Sequence, residues 1–248
     1  MELMIVDELV SAGEVVVDVG ANFGLFARRL ARLVGHTGHV HLFEPHPDHQ
    51  EQLRRFGKSS QVTFMPVALS DHTGTGELRI PQLDGGSIES MATLEDDAPP
   101  GKGFDASFGR VQIQVETFDR ALASEPRPIS FVKCDVEGHE LAVLQGGSDR
   151  FARDHPTLLL EIEQRHQRRD IRETFGLLER SGYASWIVRP DGLAPLESFD
   201  VERDQLAVLR ALPPATAAGP EYLNTFLFVE RHRPLPPTLP LATSDTRR

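Results

Sequence analysis

The feature that most constrains the fold is a strand-turn-helix pattern near the start of the chain. Three valines, Val15 to Val17, predict a buried strand, and the chain then turns through the pattern Asp-x-Gly-x-Asn-x-Gly at 18–24. Apolar side chains follow at helical spacing in residues 26–34. A buried strand, a glycine turn and a helix in this order predict a small-molecule site at the edge of an open α/β sheet.

The glycine turn favours S-adenosylmethionine over a dinucleotide as the ligand. Asn22 stands where the dinucleotide fingerprint Gly-x-Gly-x-x-Gly has its second glycine, and Gly24 comes too early for the third. The Asp18 carboxylate would repel a phosphate, whereas it suits the ammonium and sulfonium of S-adenosylmethionine. Gly20 and Gly24 let the backbone approach such a ligand, because no Cβ stands in the way.

A second marker is a carboxylate at the end of the next predicted strand. Residues 39–43 read His-Val-His-Leu-Phe and are followed by Glu44 and Pro45. A carboxylate in that position is placed to accept hydrogen bonds from ribose hydroxyls. The alternative is a plain strand-to-helix turn with a solvated glutamate. A third predicted strand, 62–65, leads to a turn at 68–71 that is expected to line the adenine pocket.

Polar side chains also follow two later predicted strands. The apolar run 129–134 leads to Asp135 and His139, and the run 157–160 leads to Glu161. Buried polar side chains, carboxylates above all, require partners or a function. These three side chains are therefore the candidate catalytic residues. The predicted cofactor-binding residues are Asp18, Gly20, Asn22, Phe23, Gly24, Glu44, Pro45, Ala68, Leu69, Ser70 and Asp135.

Composition and length restrict the class of protein. The chain has 248 residues and a net charge of −11, and an acidic chain lacks the basic face that nucleic acids require. It contains no apolar run of about 20 residues, so no membrane partner is expected. The single cysteine predicts a reducing, cytoplasmic location. We expect one domain, residues 1–230, and a disordered Pro-rich tail, residues 231–248; a homo-oligomer stays open.

Residues 72–110 form the least regular stretch of the sequence. A short strand is predicted at 77–80, and the alternation at 111–115 predicts a half-buried strand. Long loops inside compact domains are usually functional or disordered, and this one is expected on the substrate side. Further strands are predicted at 183–188 and 224–229.

Taken together, the motifs resemble those of the FkbM-type S-adenosylmethionine-dependent methyltransferases. The resemblance implies an α/β class I methyltransferase (Rossmann-like) fold, with a seven-stranded mostly parallel sheet, helices on both faces and the last strand antiparallel. The matching segments run in family order at 17–24, 43–45, 67–71, 131–140, 144–146 and 158–162. The segment before the first strand is shorter than in many members, and residues 72–110 match only loosely.

The resemblance also implies a function, namely O-methylation of a hydroxyl on a small-molecule acceptor such as a sugar, a polyketide or another specialised metabolite. N-methylation of a small amine or amide is an alternative. Two alternatives come from other classes: a non-catalytic cofactor-binding or interaction module, and a nicotinamide-dependent oxidoreductase, against which the glycine turn argues.

An alcohol is a weak acid, so its methylation benefits from a base or a metal ion. The separation of Asp135 and Glu161 along the chain resembles that of the metal-binding carboxylates in catechol-type O-methyltransferases. One hypothesis is therefore that these two residues, with His139, hold a Mg²⁺ ion that activates the hydroxyl. The alternatives are metal-free base catalysis by Asp135 or His139, and a purely organising role for Asp135 and Glu137.

Overall fold

The strands of the described chain form two sheets. The computed structural model describes residues 1–57, 59–83, 86–87, 92–95, 107–167, 169–211 and 222–242. Its strands are β1 (Val15–Val19), β2 (His39–Phe43), β3 (Val62–Met65), β4 (Ala68–Ser70), β5 (Gly74–Leu83), β6 (Gly86–Ser87), β7 (Ser107–Thr117), β8 (Ile129–Cys134), β9 (Thr157–Glu161), β10 (Tyr183–Arg189), β11 (Gly192–Pro195) and β12 (Thr225–Glu230). Its α-helices are α1 (Glu2–Leu9), α2 (Leu25–Val34), α3 (Pro47–Phe56), α4 (Phe118–Ala121), α5 (Glu140–Gly146), α6 (Ser148–Asp154), α7 (Arg172–Arg180) and α8 (Ala207–Ala211).

The main sheet has the order β11-β10-β12-β9-β8-β1-β2-β3. Its strands from β3 to β9 run parallel, and β12 is antiparallel to both β9 and β10. The α/β class, the mostly parallel sheet and the antiparallel last strand are therefore confirmed. The sheet has eight strands rather than seven, because a two-residue turn at Pro190 and Asp191 returns the chain as β11 beside β10. The Pro-Asp-Gly sequence at 190–192 is a turn signal that predicts this hairpin.

The smaller sheet has the order β4-β7-β5-β6 and corrects two expectations. Residues 68–70 are a strand rather than a turn, since they pair with β7 in parallel register, with Ala68 opposite Val115. The predicted strand at 77–80 extends over 74–83 and pairs with β7 along nine residues. Leu78 and Ile80 pack against Ile113 in a small apolar core, which explains why the alternating segment is ordered. Residues 84–85, 88–91 and 96–106 of the expected loop lie outside the described residues.

The apolar core lies on both faces of the main sheet. In β1 the side chains of Val15 and Val17 belong to the core on one face, and that of Val16 belongs to the core beneath α1 and α2. Cys134, the sole cysteine, is 2% exposed and packs into the first of these cores. Continuous burial of β1 is the pattern expected for a central parallel strand covered on both faces.

The described part of the segment after β12 packs on the main sheet. Residues 231–242, which the sequence predicts to be disordered, pack against the edge of the main sheet instead. Leu239 is buried, and the amide of Leu193 in β11 donates to the carbonyl of Pro240 at 2.8 Å. Residues 243–248 lie outside the described residues. No helix in the described part of the chain is long and apolar enough to cross a membrane.

Candidate active site

The carboxyl ends of β1, β2 and β8 open into a cleft that is also bordered by the smaller sheet. The described residues that line it are Val19, Gly20, Asn22, Phe43, Glu44, Pro45, His49, Val67, Ala68, Leu69, Leu78, Ala92, Leu94, Asp135, Val136, Glu137 and His139. The cleft thus brings together seven of the predicted cofactor-binding residues, namely Gly20, Asn22, Glu44, Pro45, Ala68, Leu69 and Asp135. These residues come from four separate stretches of the chain.

The floor of the cleft is a close backbone contact between β1 and β8. The amide of Asp135 donates to the carbonyl of Val19 at 3.0 Å. Gly20 has φ +75°, and a Cβ at this position would lie 1.9 Å from the carbonyl oxygen of Asp135. Only glycine fits both the positive φ and this approach, which explains the first glycine of the turn.

Glu44 joins the ends of β1 and β2. Its Oε2 accepts from the amide of Asn22 at 2.8 Å and its Oε1 from the amide of His46 at 2.7 Å. Each carboxylate oxygen has two lone pairs, so both can accept one further hydrogen bond from a ligand hydroxyl. The arrangement therefore supports the predicted role in binding a ribose.

His49 is a cleft residue that the sequence interpretation missed. It lies in the first turn of α3, and its Nδ1 is 3.7 Å from Oε1 of Glu44. Its ring also lies 4.2 Å, centroid to centroid, from the ring of Phe23. Its place in the helix that directly follows Glu44 is the signal that could have identified it.

Four predicted cofactor-binding residues do not line the cleft. Phe23 is about half exposed and covers the outer side of His49. Gly24 precedes α2 with φ +80°, where a Cβ would lie 2.9 Å from the ring of Phe56. Ser70 is wholly buried behind the cleft wall, and Asp18 is wholly buried beneath the turn.

Asp18 faces Lys133, which is its neighbour across β1 and β8. Burial is the main cause that raises the pKa of Asp18 to about 6, and the nearby Lys133 ammonium partly offsets it. Asp18 is enclosed beneath the turn and is not among the residues that line the cleft. This placement argues against the direct contact with a ligand's cationic end that the sequence suggested.

Lys133 also forms an ion pair with Asp135 at the cleft. Its Nζ donates to Oδ2 of Asp135 at 3.1 Å, and its side chain is 8% exposed. Burial opposes the ammonium charge, but Asp135 and Asp18 outweigh it and raise the pKa of Lys133 above its ordinary value. The ammonium therefore holds the Asp135 carboxylate in a fixed position at the cleft.

Glu161 lies at the end of β9, behind Asp135. Burial, followed by the charge of Asp135, raises the pKa of Glu161 to about 8. The side-chain amide of Asn224 donates to its Oε1. Glu161 is not among the residues that line the cleft, so it reaches a bound molecule only through its neighbours.

His139 is bound at both ring nitrogens. Its Nδ1 is 2.7 Å from Oε1 of Glu95, and its Nε2 is 2.9 Å from Oγ of Ser70. Glu95 lies in a separate segment whose Thr93 hydroxyl donates to the carbonyl of Glu137 at 2.7 Å. The imidazole therefore offers no free nitrogen to a substrate in this arrangement, which favours a positioning role over base catalysis.

A second cluster of polar side chains adjoins the cleft at Glu137, Glu163 and His166. Burial, and then the charges of Asp135 and Glu163, raises the pKa of Glu137 to about 9. Burial opposes the charge of Glu163, but its contacts with Arg165 outweigh that effect and keep the pKa below its ordinary value. Burial also lowers the pKa of His166 to about 4, so its imidazole is neutral at pH 7.

The geometry does not favour the predicted metal pair, Asp135 and Glu161. Within the described residues, the ligand atoms of Asp135, Glu161 and His139 do not form a group close enough to hold one ion. Within the described chain, the ligand atoms that come close enough for one ion belong to Glu137, Glu163 and His166 instead.

Comparison with known families gives one match. Residues 18–185 match the profile of the methyltransferase FkbM domain. The matched segment is more than half of the chain. No curated protein matches the chain.

Several solved structures are similar to the chain at low sequence identity. The methyltransferase FkbM from Methylobacillus flagellatus KT is 18% identical with a TM-score of 0.49; the match covers 87% of this chain and 43% of that one. Aeropyrum pernix fibrillarin with natively bound S-adenosyl-L-methionine is 11% identical with a TM-score of 0.46, over 89% and 68% of the two chains. Cofactor-bound Rv0187 from MTB is 14% identical with a TM-score of 0.46, over 94% and 79%. This chain spans less than half of the Methylobacillus chain.

Proposed function

This chain belongs to the FkbM methyltransferase family, and from that premise we propose that it transfers the methyl group of S-adenosylmethionine to a hydroxyl of a small-molecule acceptor. The observation that carries the proposal is that Glu44 and Asp135, at the carboxyl ends of β2 and β8, line the same cleft. Ligands of open α/β sheets bind at this edge.

The residues present fit S-adenosylmethionine. Ala68 and Leu69 give one wall of the cleft an apolar surface suited to an adenine ring. Glu44 retains acceptor capacity for two ribose hydroxyls. Asn22 lines the cleft, and its buried Oδ1 has no hydrogen-bond partner within the described chain, which suits an ammonium donor at the methionine end. The cofactor would supply an electrophilic methyl group on a sulfonium.

Asp135 is the side chain best placed to receive the proton of the acceptor. It lines the cleft, is about one-third exposed, and is oriented by the Lys133 ammonium. The proton need only be taken up as the new oxygen–carbon bond forms, and a positioned carboxylate can accept it at that moment. Glu161 acts behind it as a second carboxyl group, and His139 positions the cleft wall through Glu95 and Ser70.

N-methylation is the second candidate, and one observation favours it. The acidic side chains of Glu44, Asp135 and Glu137 line the cleft, and an ionised carboxylate there would attract a protonated amine. A specialised metabolite as acceptor, a cytoplasmic location and a homo-oligomer stay predictions from the sequence.

Calorimetric titration tests the cofactor assignment. Saturable binding of S-adenosylmethionine and S-adenosylhomocysteine, with none of NADH, is the expected result. Binding of NADH and of neither sulfur ligand would overturn the proposal. Methyl transfer is then followed with S-adenosylmethionine labelled in the methyl group, against matched sets of hydroxyl and amine acceptors. Labelled product from amines alone would replace O-methylation by N-methylation.

A further inference from the structure

We infer that Glu137, Glu163 and His166 form a binding site for one divalent transition-metal ion in the wall of the cleft. The site shares no residue with the Asp135–Glu161 pair that the sequence suggested. It lies where the loop after β8 meets the loop after β9, and Glu137 also lines the cleft.

The three donor atoms already have the spacing of a coordination shell. Nε2 of His166 is 3.0 Å from Oε2 of Glu137 and 3.7 Å from Oε2 of Glu163. All three donor atoms lie within 4.8 Å of one another. Metal–ligand bonds of about 2.1 Å place neighbouring ligand atoms roughly 3 to 4.2 Å apart, so an ion can be held with small side-chain shifts.

His166 provides an independent indication of a ligand. The residue is 6% exposed, and its Nε2 forms no hydrogen bond of acceptable geometry within the described chain, although it points at two carboxylates. A buried polar atom without a partner is costly, and most such atoms in proteins are satisfied. A cation between the ring and the carboxylates would satisfy it.

The backbone holds these side chains together. Glu137 has φ +52°, a conformation that non-glycine residues seldom adopt, and its carbonyl accepts from the Thr93 hydroxyl at 2.7 Å. Gly138 packs directly on the loop after β9, since a Cβ there would lie 2.6 Å from the carbonyl oxygen of His166. Strained residues of this kind cluster at ligand sites, where the surrounding structure maintains them.

Glu163 is oriented by contacts outside the cluster. Tyr222 donates to its Oε2 at 2.6 Å, Asn224 donates to its Oε1 at 3.1 Å, and Arg165 bonds to both oxygens. Hydrogen bonds to a ligating carboxylate are common in metal sites and fix its orientation. Each Glu163 oxygen already accepts two hydrogen bonds, so a bound ion would replace one of those from Arg165.

The donor set indicates the kind of ion. Imidazole nitrogen favours first-row transition metals, whereas Mg²⁺ and Ca²⁺ prefer oxygen ligands alone. Two carboxylates and one imidazole therefore suit Mn²⁺, Fe²⁺ or Zn²⁺ better than Mg²⁺. A role for the ion in lowering the pKa of an acceptor hydroxyl rests on the proposed function; the binding itself does not.

Manganese titration of the purified full-length protein, without cofactor or acceptor, tests the inference. Electron paramagnetic resonance measures free Mn²⁺, and we expect one saturable site per chain from which Zn²⁺ displaces Mn²⁺ more effectively than Mg²⁺ does. His166→Ala and Glu137→Gln should each weaken binding by at least about tenfold. The control is Glu173→Gln, which changes an exposed carboxylate of α7 outside the cluster and should bind Mn²⁺ as the unchanged protein does.

Two results would overturn the inference. One is the absence of saturable Mn²⁺ binding to the unchanged protein. The other is wild-type affinity in both His166→Ala and Glu137→Gln while circular dichroism shows them folded. Should either variant fail to fold, the unchanged protein provides the test. Displacement of Mn²⁺ by Mg²⁺ as effective as that by Zn²⁺ would then overturn the inference. Because S-adenosylmethionine binding is titrated separately, a failure of the metal site is distinguishable from a failure of the methyltransferase proposal.

Discussion

Gly20 and Asp135 meet backbone to backbone, and a single methyl group on residue 20 would stand 1.9 Å from the carbonyl oxygen of Asp135. The glycine turn and the residue whose carboxylate lines the cleft are therefore parts of one contact. Any change that separates them alters both halves of the cleft at once.

The first prediction concerns this contact. Gly20→Ala should destabilise the protein by more than about 1 kcal/mol, the usual order for a strained positive φ, and should also abolish S-adenosylmethionine binding, because the two strand ends must separate. Gly182→Ala is the control: its φ is +89°, but among the described residues nothing beyond its chain neighbours lies within 4 Å of the added Cβ. Urea unfolding and calorimetry measure the two effects. Equal losses in both variants would show that the positive φ alone, rather than the contact, is responsible.

The second prediction concerns Glu44. Glu44→Gln should weaken S-adenosylmethionine binding about tenfold or more, since charge-assisted hydrogen bonds are worth about 1.5–3 kcal/mol and an amide group cannot accept at both positions. The control is Glu51→Gln, which changes an exposed carboxylate in α3, the helix that follows Glu44. Calorimetry reads both variants. Unchanged affinity in Glu44→Gln would remove Glu44 from the cofactor site.

The third prediction separates chemistry from binding. Asp135→Asn should lower turnover about 10²- to 10⁴-fold with a hydroxyl acceptor, the range typical of a lost general base, while cofactor affinity changes little. Asp191→Asn, in the exposed turn between β10 and β11, serves as the control. Turnover is measured by transfer of the labelled methyl group. A loss of only a few-fold would favour an amine acceptor, which needs less help with its proton.

The fourth prediction concerns stability at acid pH. Hydrogen bonds from Arg127, with a further contribution from His41, outweigh burial and lower the pKa of Glu125 from 4.5 to about 2. A carboxyl group whose pKa is depressed by folding stabilises the protein above pH 4.5, and this stabilisation is lost as the pH falls from 4.5 towards 2. Burial lowers the pKa of His41 too, so its protonation below pH 6.5 acts in the same direction.

Urea unfolding at pH 6, 4.5 and 3 checks this prediction. Glu125→Gln should be less stable than the unchanged protein at pH 6 and should lose less stability between pH 4.5 and 3. Glu51→Gln should follow the unchanged protein at every pH, because its carboxylate is exposed. Parallel curves for all three proteins would show that Glu125 does not contribute to the acid transition.

The main sheet could be predicted from sequence because its signals are local. An apolar run followed by a turn identifies a strand without knowledge of its neighbours, and the strands 15–19, 39–43 and 129–134 were found in this way. The smaller sheet could not, because the pairing of β4 with β7 joins residues that are nearly fifty positions apart. A sequence pattern alone therefore predicts a turn at 68–70, where the structure has a strand.

The same distinction holds for the candidate site. Gly20, Glu44 and Asp135 stand at the ends of predicted strands, so their meeting follows from the topology. The partners of His139 do not: Glu95 is 44 residues away and follows no strand pattern. His166 carried a weak signal because its importance comes from what faces it, two carboxylates from two different loops.

Cys134 gives the molecule a built-in reporter. It is the sole thiol, lies next to Asp135, and is 2% exposed, and burial raises the pKa of its thiol well above the ordinary value. A thiol-specific reagent can therefore label the protein only when β8 opens. The labelling rate, compared with and without S-adenosylmethionine, would give the free energy of that opening at the strand that ends beside Asp135.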